Sequence, residues 1–187
     1  MKVDHERKFF KPAIILFILI SICVTILVTI YDLTKDPIRV QQIAVEVAMV
    51  TSLLPGTVYT EEEYIEEDYV TKIVTGFNDQ NEIIGYVVTA YSQGYAGIVE
   101  IMVGFDAAGA LTNVSVLRHR ETPGLGTAIL EPNFLGQFAG RTEPMIVARM
   151  PTNDNEIQAL ASATISTAAV VNGVNTAMAF MAGVIDS

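Results

Sequence analysis

The chain has 187 residues, 51% of them hydrophobic, and a formal net charge of −10. An acidic balance of that size repels nucleic acid and anionic lipid, so a nucleic-acid partner is excluded. One cysteine, Cys23, and two widely separated histidines, His5 and His119, exclude a disulfide framework, a cysteine-ligated iron–sulfur centre and a histidine metal cluster.

The charge is unevenly spread. Residues 1–31 carry Lys2, Arg7, Lys8 and Lys11 against Asp4 and Glu6, a balance of +2, which leaves −12 for the remainder. Residues 12–31 hold no charge and are apolar apart from Pro12, Ser21, Thr25 and Thr29. As a helix rising 1.5 Å per residue, this run spans the ~30 Å hydrocarbon core of a bilayer. It is longer than the core of a signal peptide, and no small-x-small cleavage pattern follows it, so an uncleaved single transmembrane helix is expected. Lys8 and Lys11 precede it and Asp32 follows. The positive-inside rule then puts residues 1–11 in the cytoplasm and the bulk of the chain on the extracytoplasmic side of the cytoplasmic membrane.

Residues 32–56 read as a juxtamembrane helix. Thr34-Lys35-Asp36-Pro37 offers a capping residue shortly before proline, Ile38, Val40, Ile43, Val45, Val47, Val50 and Leu53 follow, and Leu54-Pro55-Gly56 stops the helix. Residues 61–68 hold six acids and read as a solvated face or loop. From Tyr69 the period changes to two. Residues 69–75, 82–90, 98–105 and 110–117 are expected strands, the last two joined by Asp106-Ala107-Ala108-Gly109, a hairpin with glycine where a left-handed residue is needed. Gly94-Tyr95-Ala96-Gly97 reads as a loop entering the third strand. Residues 127–142 read as short helical or irregular structure with Phe134, Leu135 and Phe138 inward. Residues 145–149 form a further strand, and Asp154-Asn155-Glu156 a break. The expected whole for residues 57–187 is an α+β domain, an antiparallel sheet with flanking helices.

Two stretches carry the chemistry. In Glu121-Thr122-Pro123-Gly124-Leu125-Gly126, proline and glycine suit a tight turn, and two glycines let backbone N–H groups approach a planar ring. Ala161-Ser162-Ala163-Thr164-Ile165-Ser166-Thr167 opens the last helix, whose apolar positions include Val170, Val174, Met178 and Met181. Ser162, Thr164 and Ser166 are all N-cap residue types. A helix N-terminus also attracts phosphate, and a threonine hydroxyl placed there suits a phosphate ester. His119 is a conceivable general base, but no nucleophile with a triad partner is visible, nor a P-loop, Gly-x-Ser-x-Gly, His-Glu-x-x-His or Gly-x-Gly-x-x-Gly.

Together the two stretches resemble the flavin-binding domain of the G subunit of the Rnf electron transport complex and of its counterpart, the C subunit of the sodium-pumping NADH:quinone reductase. The family's Glu-Thr-Pro-Gly-Leu-Gly block is complete at residues 121–126. Ala161-Ser162-Ala163-Thr164 stands where the family has Ser-Gly-Ala-Thr, and Gln158 where it usually has Asp. The resemblance implies FMN esterified through its phosphate to Thr164, with Ser166 or Thr167 as the fallback acceptor. It implies a flavin transferase that takes FMN from FAD and reads the residues before the acceptor. It also implies that Tyr95, His119, Glu121, Thr122, Gly124, Leu125, Gly126, Ser162, Ala163 and Ile165 surround the cofactor. No catalytic group of the chain's own and no metal are expected. The implied role is a membrane-anchored electron relay bound to the other subunits of an ion-translocating ferredoxin:NAD oxidoreductase complex. The short chain and His119 before the block favour the Rnf type over the quinone-reductase type. A flavin-binding sensor or regulator and a flavin-free scaffold are the rival readings.

Overall fold

The computed structural model describes residues 3–67 and 69–185. Residues 1–2, Asp68 and residues 186–187 lie outside the described residues. With them go the start of the expected cytoplasmic terminus, the last acid of the acidic run and the end of the expected domain. The chain divides into two compact units, residues 1–45 and residues 46–187.

The first unit is a helix. α1 runs Val3–Leu53 without a break, so its last turns belong to the second unit. The stretch from Lys11 onward is long and apolar enough to cross a membrane. Its large apolar side chains, from Ile14 to Leu33, are all exposed, as a lipid-facing helix requires. The expected juxtamembrane helix is the continuation of α1, with no cap at Thr34. The Thr34 hydroxyl bonds back to the carbonyl of Ile30 at 2.8 Å instead of capping, and α1 passes through Pro37.

In the second unit five strands form an antiparallel meander in sequence order: β1 Tyr59–Glu67, β2 Val70–Phe77, β3 Ile83–Gln93, β4 Ile98–Asp106 and β5 Leu111–Arg118. The four strands expected from alternating apolar residues are present. The acidic run is the solvated face expected, with Glu61, Glu62, Glu63 and Tyr64 exposed, but up to Glu67 it is the edge strand β1 rather than a loop, pairing Glu61 with Thr75, Glu62 with Val74 and Glu63 with Ile73. An edge strand needs backbone pairing on one side only, and charged side chains keep its open side from pairing with another chain.

The sheet buries both faces. On one, the cross-strand row Ile73, Val88, Val103 and Val114 packs beneath α3, Thr164–Ile185, through Val170, Val174 and Met181. α3 is also long and apolar enough to span a bilayer, but Val170, Val174, Ala177 and Met181 form this core. On the other face the end of α1, through Val50 and Leu53, and Leu54 just after it cover Val74, Val87 and Met102. Buried Lys72 lies on that face and pairs with Glu46 of α1, and with Glu62 at 3.5 Å.

A 3₁₀ turn, Gly126–Leu130, and the short helix α2, Pro132–Leu135, lead from the sheet to α3 and bury Phe134 and Phe138 edge-to-face, with ring centroids 5.5 Å apart. The break at 154–155 is a turn, and a short strand not expected from the sequence begins at Glu156. β7, Glu156–Gln158, pairs in parallel with β6, Ile146–Ala148, as a separate small sheet, so the domain is not wholly antiparallel. Asn175 of α3 ties β6 down: its Oδ1 accepts from Met145 N and its Nδ2 donates to Met145 O, both at 2.8 Å.

Candidate functional site

The loop leaving β5 begins at His119. Its Nδ1 accepts from the N–H of Glu121 at 3.2 Å, so this ring nitrogen is engaged by the chain's own backbone. Thr122, Gly124 and Leu125 then face outward, Leu125 half exposed. The turn is closed by Leu125 N and Thr127 N donating to Thr122 O at 3.3 Å and by Gly124 N donating to Thr127 Oγ1 at 2.9 Å. Gly124 has φ +76°, the left-handed conformation that the proline–glycine pair predicts.

Glu121 does the opposite of its neighbours. It is 4% exposed, and its carboxylate points inward. Oε1 accepts from Ala96 N at 3.2 Å, and Oε2 accepts from Ser166 Oγ at 2.5 Å. One carboxylate therefore joins the 94–97 turn, the 121–126 loop and the first turn of α3. The sequence alone does not pair Glu121 with Ser166. The available signal is a lone acid in a block of otherwise uncharged turn residues.

α3 begins at Thr164, and the residue in the capping position is Ala163, whose carbonyl accepts from Thr167 N at 2.9 Å. None of the three expected hydroxyl caps, Ser162, Thr164 or Ser166, occupies that place. Ser162 has φ +68° and Ser166 is turned toward Glu121. Alanine has no side-chain oxygen for the terminal N–H groups of Thr164, Ile165 and Ser166, which precede the first intrahelical bond. The hydroxyls of this turn differ sharply. Thr167 is fully buried, accepting from Leu160 N at 3.1 Å and donating to Ala163 O at 2.9 Å. Ser166 is 2% exposed, whereas Thr164 lies open to solvent.

Around the joined segments three apolar side chains stand out of the surface, Tyr95, Leu125 and Ile165, each adjacent in the chain to a residue of the Glu121 contact set. A cleft of about 740 Å³ shares Gly97, His119 and Arg120 with the same neighbourhood. The structure thus brings together Glu121, Gly126 and Ser166, with Ala96 on the other carboxylate oxygen. Among the described residues no group of three or more His, Cys, Asp or Glu side chains is placed to hold a metal.

Comparison with known proteins bears on the same region. Residues 94–179, which include both blocks, match the FMN-binding domain family. Over 99 residues, 52% of its length, the chain is 38% identical to the G subunit of the proton-translocating ferredoxin:NAD(+) oxidoreductase complex of Clostridium ljungdahlii, and it spans about half, 54%, of that protein. It is 30% identical over 193 residues to the G subunit of the ion-translocating oxidoreductase complex of Aliivibrio fischeri, covering 91% of this chain and 89% of that one. Among solved structures, NqrC of Shewanella oneidensis is similar at a TM-score of 0.45 and 19% identity, over 67% of this chain and 65% of that one.

Proposed function

Because this chain belongs to the family of G subunits of ion-translocating oxidoreductase complexes, we propose that it is a membrane-anchored flavoprotein relaying electrons within such a complex. FMN is its cofactor, held as a phosphoester on Thr164, and when bound it supplies the electron-transfer chemistry. The partners are the other subunits of the complex, and maturation needs a flavin transferase.

The observation that carries the reading is the contrast among the hydroxyls at the start of α3. Thr164 is exposed on a turn with no capping side chain, while Ser166 and Thr167 are buried and hydrogen-bonded. Thr164 Oγ would form the new P–O bond as the pyrophosphate of FAD breaks. AMP leaves, and the hydroxyl proton is released. The terminal N–H groups of α3 would then face the ester's negative charge, with the helix dipole adding roughly 0.3–1 kcal/mol. Exposed Tyr95, Leu125 and Ile165 offer an apolar surface of the kind a flavin ring covers. The site therefore fits both ends of the cofactor.

A fluorescent protein band that survives denaturing electrophoresis is expected from the chain made with its transferase. It should vanish in Thr164→Val and persist in Ser166→Ala. An unmodified Thr164 peptide from that preparation would reject the assignment, and a band absent from the wild type would favour the flavin-free scaffold.

The proposed topology has α1 crossing the cytoplasmic membrane with the N-terminus inside, supported by Lys8 and Lys11 before the apolar run and by the acidic balance after it. A membrane-impermeant protease added to intact spheroplasts should digest the domain. Its protection there would reverse the orientation.

A further inference from the structure

We infer that Glu121 is a positioning residue that fixes the rotation of α3 and so aims Thr164, an inference that rests on the flavoprotein reading above. Ser166 follows Thr164 by two residues. At 3.6 residues per turn their side chains leave the helix about 200° apart, on nearly opposite sides. Holding the Ser166 hydroxyl inward on Oε2 of Glu121 therefore turns Thr164 outward. The other oxygen holds Ala96 N–H, which sets the distance from α3 to the 94–97 turn.

The surroundings are shaped to this carboxylate. A Cβ on Gly94 would lie 2.3 Å from Oε1 and 2.9 Å from the carbonyl oxygen of Gly97. One on Gly126 would lie 2.7 Å from Glu121 Cβ and 2.8 Å from Oε2. Neither neighbour tolerates a side chain without moving the group. Among the described residues Glu121 has no ion pair, so its buried carboxylate depends on these donors. It uses the hydroxyl of Ser166 and leaves the terminal N–H groups of α3 to the phosphate.

The test compares Glu121→Gln, Glu121→Asp and Ser166→Ala in the full chain, produced with its transferase. The readouts are covalent flavin per chain from intact mass, visible circular dichroism of the flavin, and far-ultraviolet circular dichroism for folding. Glutamine has the same reach: its oxygen accepts from Ala96 N–H and its amide donates to Ser166 Oγ. It should keep the wild-type visible spectrum. Aspartate is one methylene too short to hold both partners. Aspartate and Ser166→Ala should lose most of the visible signal while remaining folded and fluorescent on a denaturing gel. Wild-type visible spectra in both Glu121→Asp and Ser166→Ala would overturn the inference. So would a Glu121→Gln protein that behaves like Glu121→Asp, because the reach that glutamine keeps would then not be enough to hold the two segments. Should Glu121→Asp fail to fold, Ser166→Ala alone decides. A wild-type chain with no fluorescent band would instead sink the flavoprotein reading, so the two failures are distinguishable.

Discussion

Replacing Lys72 with methionine lowers the stability of the domain by about 3 kcal/mol, read as a lower thermal midpoint of the full chain in detergent. The side chain is 6% exposed and lies between Glu46, at the end of α1, and Glu62 of β1. Removing the cation leaves Glu46, only 22% exposed, facing Arg118 at 4.0 Å, while Arg118 is already engaged with Glu100 at 2.8 Å. Glu62 is 43% exposed and can turn to water, which keeps the cost at the low end for a broken buried pair. Changing Glu46 to leucine in the same chain should restore most of the loss, since two apolar side chains then continue the Val50–Leu53 cluster. A double variant as unstable as Lys72→Met would show that the pair does more than fill space.

Burial acts to lower the pKa of Lys72. The hydrogen bond and charge of Glu46, with Glu62 and Tyr64 behind them, outweigh it and hold the value above that of a free lysine. The stabilisation is therefore fully present below the ordinary lysine value and is lost only as pH rises through the raised native one. At the acid end the sign reverses for Glu156, whose pKa is lowered chiefly by the backbone N–H of Thr152. Its contribution is present above the ordinary carboxylate range and fades as pH falls through the depressed native value.

Gly126→Val and Gly124→Ala are expected to differ, although the two glycines lie two residues apart in one turn. At Gly126 the new side chain meets Glu121 Cβ, Oε2 and the Ser166 hydroxyl, so overpacking of about 1–3 kcal/mol comes with displacement of the Glu121–Ser166 bond. At Gly124 nothing lies within 4 Å, and the cost is the left-handed backbone alone, about 1 kcal/mol. Thermal midpoints and visible flavin spectra of the two proteins separate these effects. Equal shifts in both would mean that the turn acts only through its backbone.

Much of the fold is legible in the residues because burial leaves a period. β2 to β5 are rich in β-branched and aromatic residues between turn residues, and those on the α3 side form the Ile73–Val88–Val103–Val114 row. β1 leaves no such trace. Its Glu61, Glu62, Glu63 and Tyr64 are exposed, and what holds it is backbone pairing to β2. β7 is three residues long, and only Ile157 is buried, too little for a pattern. At the candidate site the turn at Pro123-Gly124 and the start of the last helix follow from local residue preferences. The cap does not, because Ser162, Thr164 and Ser166 are equally good capping types, and the choice of Ala163 is made by tertiary bonds. Thr167 holds Leu160 N, and Glu121 draws Ser166 inward from 45 residues away. A contact of that kind joins residues with no shared period.

A helix that starts on alanine is an unfinished helix. A hydroxyl or carboxylate in the capping place is ordinarily worth about 1 kcal/mol, and α3 forgoes it at the one turn that carries Thr164. An esterified phosphate on Thr164 would bring its own anionic oxygens to the same N–H groups and act as the missing cap. Attachment would then raise folding stability as well as add colour. The precursor would be the less stable form, and it would meet a protease sooner than the finished protein.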